Sequence, residues 1–191
     1  MTSLTATASL ALLAALVANA LPARAEPRLV PAQSEIAFTS KQMGVPVDGR
    51  FRRFDAQVAF DPKKPEAASI AFTIDLTSTA LGMTEAEAEL AKPEWFNTKA
   101  FPQATFQSSG VKALGGGNFE VSGKFAIKSV MRDVVVPFNL VQAAGNTTAS
   151  GTFSIKRLDF RIGDGEWKDT SLVADAVQVR FKLVLTGVGP L

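Results

Sequence analysis

The chain has 191 residues, and its 20 basic and 18 acidic side chains leave a formal net charge of +2. It contains no cysteine, histidine or tyrosine, which excludes disulfides, Ser-His-Asp and Cys-His catalysis, and imidazole or thiolate metal ligands. We therefore expect no catalytic residue and no metal site. The small net charge also argues against nucleic acid or an anionic membrane surface as a partner.

The first 25 residues are typical of a secretory signal peptide. An apolar run over residues 10–17 precedes Ala23-Arg24-Ala25, an A-x-A cleavage pattern, although the opening MTSLT supplies no Lys or Arg. The run is shorter than a transmembrane helix requires. We therefore predict export to the periplasm, cleavage after Ala25, and one mature domain over residues 26–191.

Alternation of apolar and polar side chains with a period of two predicts three strands in the first half of this domain. Their predicted inward faces are Ile36 and Phe38; then Phe54, Ala56, Val58 and Phe60; then Ile70, Phe72, Ile74 and Leu76. Asp48-Gly49 predicts a turn at the end of a looser segment. Thr84-Glu85-Ala86-Glu87 matches a capping box and predicts a short helix through about Ala91, which Pro93 ends.

Five more strands follow in the second half, separated by short turns at Gly115–Gly117, residues 129–132 and Gly145-Asn146. Their predicted inward faces are Ala104, Phe106 and Ser108; Phe119, Val121, Gly123, Phe125 and Ile127; Val134, Val136, Phe138 and Leu140; Gly151, Phe153 and Ile155; and Val177, Val179, Phe181, Leu183 and Leu185. Eight strands with mostly short turns predict an antiparallel all-β domain. Eight strands can close into a barrel whose interior is either filled by side chains or holds one small ligand. A β-sandwich stays possible, because its strands show the same alternation of apolar and polar residues.

The predicted interior is almost wholly apolar. Its small residues, Ala56, Gly123 and Gly151, either leave room in the lining or ease strand bending. Such an interior suits a long apolar tail and offers little to a sugar or a nucleotide. Two other functions stay open: a barrel filled by its own side chains that acts as a stress-related periplasmic interaction module, and a carboxylate-based enzyme acting on a lipid.

The segment from Ala91 to Ser109 carries an aromatic pair followed by an aromatic-Pro-x-Ala-x-Phe-x-Ser run. The residues are Trp95, Phe96, Phe101, Pro102, Ala104, Phe106 and Ser108. The segment resembles the one that marks the YceI-like family of periplasmic polyisoprenoid-binding proteins, and the resemblance extends from about Leu29 to Leu185. It implies an extended antiparallel eight-stranded lipocalin-like β-barrel with one short helix, holding an isoprenoid lipid without catalysis.

The chain departs from the family pattern mainly at polar positions, which affects head-group contacts more than the tail pocket. The departures are Gln33 in place of a frequent histidine before Ser34, Ala86-Glu87 and Glu89 in place of Arg-Asp and His in the helix motif, and Arg161 in place of glycine after Arg157-Leu158-Asp159-Phe160. The run from Val173 to Val177 matches the family well.

The candidate ligand-binding residues are apolar side chains of the predicted inward faces and of the aromatic segment, with two loop methionines as an adaptable lip. They are Phe38, Met43, Phe54, Phe72, Ile74, Leu76, Met83, Phe101, Phe106, Phe125, Phe138, Phe153 and Phe181. The resemblance implies a polyprenyl chain, an isoprenoid quinone or another long apolar lipid as the partner, and no other cofactor. It also raises a homodimer as one oligomeric state.

Several polar side chains have two interpretations. Arg157 and Asp159 form either a structural ion pair at a barrel end or a head-group contact. Trp167 either closes one end of the barrel or packs on it. Four cations crowd the predicted Asp48-Gly49 turn as a solvated edge or as a site for an acidic head group. They are Lys41, Arg50, Arg52 and Arg53.

Overall fold

A computed structural model describes residues 26–191, so the predicted signal peptide lies outside the described residues and stays a prediction. The described part contains eleven strands and one α-helix. Their bounds are β1 Arg28–Leu29, β2 Glu35–Gln42, β3 Val45–Phe51, β4 Phe54–Ala59, β5 Ser69–Asp75, β6 Thr79–Ala80, α1 Thr84–Leu90, β7 Gln103–Gly115, β8 Asn118–Ile127, β9 Val130–Ala143, β10 Asn146–Lys156 and β11 Ala176–Thr186.

Eight of these strands form a closed antiparallel ring in the order β1-β4-β5-β7-β8-β9-β10-β11. The two-residue strand β1 completes it, because Arg28 pairs with Thr186 of β11 on one side and with Gln57 of β4 on the other. The predicted all-β, eight-stranded antiparallel barrel with one short helix is therefore confirmed. The prediction did not include β1, β3 or β6, because two residues carry no periodicity and β3 contains a proline.

Strand β2 lies outside this ring and extends it. Long strand β11 pairs with β2 near its start and with β1 near its end, and β3 then pairs with β2 and with β6. The β2–β3 turn is Met43-Gly44, both with positive φ (48° and 82°), as a two-residue type I′ hairpin requires. The predicted turn at Asp48-Gly49 is wrong, because both residues lie inside β3, paired with Thr39 and Phe38.

Three glycines on the inner wall are covered by aromatic rings. A Cβ on Gly49 would overlap the Phe38 ring, one on Gly151 the Phe181 ring, and one on Gly123 would lie 2.5 Å from both the Phe106 ring and the Gln107 carbonyl oxygen. Of the two interpretations of Gly123 and Gly151, the one in which they leave room for a ligand is wrong, since neighbouring rings occupy the space.

Gly123→Ala is expected to lower the free energy of unfolding by about 1–3 kcal/mol, because a main-chain carbonyl cannot move aside as a flexible side chain can. Gly110→Ala is the matched control: it lies in β7, and a Cβ there would meet nothing within 4 Å. That control should be neutral or stabilising by less than about 1 kcal/mol. Urea unfolding of the two variants measures the difference, and equal stabilities would contradict the packing.

Helix α1 begins at Thr84 and ends at Leu90, close to the predicted bounds, but the capping box does not form. Met83 is the N-cap, without a side-chain hydrogen bond. Glu87 Oε1 instead accepts from the main-chain N–H groups of Leu81 and Gly82 at 2.9 and 3.1 Å. The carboxylate thus fastens the turn before α1, and these hydrogen bonds lower the pKa of Glu87.

The core has two apolar clusters at opposite ends of the barrel. The first contains Phe60, Phe119 and Leu140 near the β4–β5, β7–β8 and β9–β10 connections. The second, with Trp95, Phe96 and Phe160 among others, lies near α1 and the segment after β10; we call this the α1 end. Among the described residues no helix has the length and apolarity to cross a membrane.

Candidate lipid-binding cavity

An apolar cavity of about 330 Å³ occupies the barrel interior. Its wall takes residues from both core clusters, so it runs from the Phe60–Phe138 end to the α1 end. The volume lies within the range of small-molecule sites and is about twice that of an engineered cavity that holds benzene. The cavity can therefore accept a slender apolar chain.

Ten of the thirteen candidate ligand-binding residues lie in the wall of this cavity. They are Phe38, Phe72, Ile74, Leu76, Met83, Phe106, Phe125, Phe138, Phe153 and Phe181. Strand alternation brings eight of them together, because successive side chains point to opposite faces of the barrel wall. Leu76, just after β5, and Met83, just before α1, are placed by the connections between elements. Their contact with a ligand stays a prediction.

Three candidates do not lie in the cavity wall. Met43 is at the tip of the β2–β3 turn and is 70% exposed. Phe54 is the first residue of β4, packs against the first core cluster and lies beside Pro31 outside the cavity wall. Phe101 precedes β7, in a turn segment where strand alternation does not apply. Met43 and Phe101 therefore lie outside the strands, and Phe54 lies at the start of one.

Two polar wall residues were not among the candidate ligand-binding residues, although the alternation of β2 places them on its inward face. Ser40 and Gln42 continue the face of β2 that carries Ile36 and Phe38, and both line the cavity. Glu89 also lines the cavity, because α1 contributes Ala86, Glu89 and Leu90 to the wall. No sequence signal placed α1 there.

Polar wall residues lie at one end of the cavity. Ser40, Gln42, Glu89 and Arg157 are the wall residues with polar non-aromatic side chains. Gln42 forms a β-bridge with Val173, and the main-chain N–H of Gly163 donates to Glu94 O just after α1. These contacts join β2, the loop after β10 and α1, so the cavity is apolar at one end and partly polar at the α1 end.

Arg157 is a buried cation that holds the loop after β10 together. It is 2% exposed. Its five N–H groups donate to five main-chain carbonyl oxygens, at 2.6–3.2 Å. These belong to Ile162, Gly163, Trp167, Val173 and Ala174.

Burial lowers the pKa of Arg157, and the Asp175 carboxylate partly opposes this. Of the two interpretations of Arg157 and Asp159, the ion pair is wrong, because the guanidinium N–H groups donate to main-chain carbonyl oxygens instead. The guanidinium has no donor left, because it carries only five N–H groups.

Two tryptophans cover this end of the cavity beside Arg157. The rings of Trp95 and Trp167 lie 5.3 Å apart, and the Arg157 guanidinium lies 5.8 Å from the Trp95 ring centre. Both tryptophans line the cavity, so Trp167 covers part of this end of the barrel and also packs on Trp95. In the described part of the chain, the Trp95 indole N–H is buried without a hydrogen-bond partner.

The four cations near the predicted turn are exposed, and two of them pair with nearby carboxylates. Arg53 donates to Asp75 at 2.8 Å and to Thr77 at 2.9 Å, and Arg52 lies 4.0 Å from Glu87. None of the four lines the cavity. The solvated-edge interpretation describes these contacts better than a head-group site does.

The model of the YceI-like domain family matches residues 28–185 of the chain. The chain belongs to the YceI-like family. Among the relatives of this YceI-like chain, a UPF0312 protein of Azotobacter vinelandii is 32% identical over 88 residues, 46% of each protein. Protein YceI of Escherichia coli is 33% identical over 93 residues, 49% of this chain and 48% of the relative. The chain's match thus spans about half the length of these curated relatives.

Solved structures share the fold over a longer region. BcnA of Burkholderia cenocepacia is 44% identical, with a TM-score of 0.79, over 82% of this chain and 98% of BcnA. A polyisoprenoid-binding domain from Saccharophagus degradans, implicated in plant cell wall breakdown, has a TM-score of 0.68 at 19% identity, over 84% and 97% of the two chains. At that identity the likeness shows the fold alone. The resemblance stated from the aromatic segment is confirmed by the family match.

Proposed function

We propose that this protein is a periplasmic, non-catalytic carrier that holds the apolar tail of an isoprenoid lipid in its barrel. The observation that carries the proposal is a cavity whose wall is apolar everywhere except at the α1 end. A buried polar group without a partner is costly, so the wall accepts a hydrocarbon tail and disfavours a polar ligand. A neighbour of the same fold, at 19% identity, is a polyisoprenoid-binding domain, so this fold is one that can hold such a ligand.

The distribution of polar side chains orients the ligand. The tail extends toward Phe60 and Leu140, where the wall is apolar. The polar end of the lipid lies near Ser40, Gln42 and Glu89, at the opposite end. Ser40 and Gln42 supply a hydroxyl and an amide, which both donate and accept hydrogen bonds. A head group with either capacity therefore suits this end.

The two alternative functions have less support. A barrel filled by its own side chains leaves no cavity of this size. An enzyme needs an acid or a base at the reacting group, and Glu89 is the carboxylate in the cavity wall. Its side chain pairs with Lys92 Nζ at 2.5 Å, and no second carboxylate of the described residues lines the cavity to complete an acid–base pair.

Organic extraction of protein purified from the periplasm, followed by mass spectrometry, tests the proposal. We expect an isoprenoid lipid in the extract and a matching mass difference between native and denatured protein. The start of the purified chain, expected at Glu26, tests export in the same sample. Only apo protein, together with no binding of added polyprenyl or quinone compounds, would exclude the carrier function.

Lipid affinity is expected to change less than about twofold between about pH 5.5 and 8, because no unperturbed side chain of this composition titrates there. Four carboxyl groups have a lowered pKa, those of Asp48, Asp75, Glu87 and Asp169. A carboxyl group whose pKa is lower in the folded than in the unfolded state stabilises the fold above the unfolded-state pKa. That stabilisation is lost only as the pH falls through the folded-state pKa, in the acid range. Titration of lipid binding against pH tests this, and a tenfold change would indicate a titrating group in the cavity.

A further inference from the structure

The cavity reaches the protein surface at the α1 end, because its wall residues Gln42 and Met83 are exposed there. Four large apolar side chains are exposed beside this opening. They are Met43 at 70% exposure, Val45 at 63%, Met83 at 55% and Leu172 at 42%. We call these four residues the rim. Soluble domains expose single apolar side chains commonly, but a group beside a ligand cavity indicates an interaction site.

Main-chain contacts place the rim on the two sides of the opening. The Met43 N–H donates to Leu172 O at 2.8 Å, which joins the β2–β3 turn to the loop before β11. Val45 pairs with Gln42, a cavity wall residue. Met83 is itself a wall residue and precedes α1. The apolar surface of the cavity is therefore continuous with the rim.

Met43 is an unexpected residue for its position. It is the first turn residue of a type I′ hairpin, at φ 48°, where Asn, Asp and Gly are favoured and a long side chain is uncommon. The side chain is neither buried nor needed for the turn. A role in contact with another surface explains why an apolar side chain is held there.

Charges beside the rim have both signs. Lys168 Nζ lies 3.6 Å from Asp164 Oδ1, and Lys92 Nζ lies 2.5 Å from Glu89 Oε2. Residues 26–191 hold 19 basic and 18 acidic side chains, since Arg24 precedes them. The surface that meets the rim is therefore recognised by apolar contact and not by strong charge of either sign.

We propose that the rim docks this protein onto a phospholipid bilayer. The four side chains enter the boundary between head groups and acyl chains, as apolar faces of peripheral proteins do. The opening of the cavity then faces the acyl region, so a lipid tail passes between bilayer and barrel without crossing water. This inference rests on the proposed carrier function, because a lipid cargo is what gives the cavity opening a reason to meet a bilayer.

Flotation with vesicles of pure phosphatidylcholine tests the docking. The rim variant is Met43→Asn with Leu172→Ser, and Asn is favourable at the positive φ of position 43. The control is Leu114→Ser with Val141→Ser, which are 52% and 56% exposed at the opposite end of the barrel. We expect vesicle binding to fall at least about tenfold in the rim variant and less than about twofold in the control.

Salt and lipid charge give a second readout. Binding of the wild-type protein should change less than about twofold between about 0.1 M and 0.5 M salt, because apolar insertion is not screened. Three results would overturn the proposal. The first is a requirement for anionic lipid, and the second is an equal loss of vesicle binding in the rim and control variants. The third is a wild-type protein that does not bind vesicles and forms a dimer that the rim substitutions dissociate. In the last case a second copy of the chain covers the rim.

Loading of the barrel separates this inference from the carrier function. Protein of each variant is incubated with an isoprenoid quinone in detergent micelles and then extracted. If docking is correct, the rim variant loads from micelles as the wild type does but exchanges with vesicles at least about tenfold more slowly. Vesicle binding by a protein that never loads would leave docking in place and refute the carrier function. Loading of the barrel without vesicle binding would leave the carrier function in place and refute docking.

Discussion

Replacing Arg157 by methionine is expected to lower the free energy of unfolding by about 3–5 kcal/mol. The substitution leaves five main-chain carbonyl oxygens of the loop after β10 without their donors. Each buried acceptor that loses its partner costs about 1–3 kcal/mol, less whatever water recovers. This is a large part of a total stability of roughly 5–15 kcal/mol. Urea unfolding measures the change.

Arg157→Lys and Arg180→Met sharpen this test. Lysine has three donors for five acceptors, so Arg157→Lys should lie between wild type and methionine. Arg180 is largely exposed and pairs with Asp48 at 3.5 Å, so Arg180→Met should cost no more than about 1 kcal/mol. A loss for Arg157→Met as small as that for Arg180→Met would mean that water replaces the guanidinium and that Arg157 does not organise the loop.

Phe106→Asp is expected to abolish lipid retention and to destabilise the barrel by several kcal/mol. Phe106 lines the cavity and covers Gly123. A carboxylate there faces an apolar wall without a partner, a burial that costs several kcal/mol or forces protonation. Thermal melts and extraction of bound lipid measure the two effects.

The neighbouring Thr105→Asp is the matched control. Thr105 is exposed, and it pairs with Thr73 and Ala126, so the new charge meets no like charge directly across the strands. It should change stability by no more than about 1 kcal/mol. If Thr105→Asp proved damaging and Phe106→Asp mild, the inner and outer faces of β7 would be assigned the wrong way round. The cavity wall residues taken from this strand would then be wrong.

The inner and outer faces of the long strands could be read from the sequence. Ile36 and Phe38, or Phe72 and Ile74, fall on the cavity side because alternation has a fixed period of two wherever one face is buried. The same rule extended two steps further would have found Ser40 and Gln42. It does not apply to Met43 and Phe101, which lie outside the strands, and Phe54 has the inward parity of β4 but packs on the core without lining the cavity.

Glycine gave an ambiguous signal. The pair Asp48-Gly49 matched a turn, yet Gly49 lies inside β3. A glycine is needed there because the Phe38 ring and Leu81 occupy the space that a side chain would take. The actual turn uses Met43, a residue that turn preferences do not favour. Packing between strands, which a single chain segment does not record, decided both positions.

The sequence by itself determined the all-β class, the faces of eight strands, the short helix and the apolar character of the interior, because these follow from local periodicity and composition. Tertiary structure decided what depends on distant segments meeting. It closed the ring through two-residue β1, brought five carbonyls of residues 162–174 to the Arg157 guanidinium, placed Glu89 of α1 in the cavity wall, and grouped Met43, Met83 and Leu172 around the opening. Hydrogen bonds and burial between residues far apart in the chain leave no local pattern, so only the folded arrangement shows them.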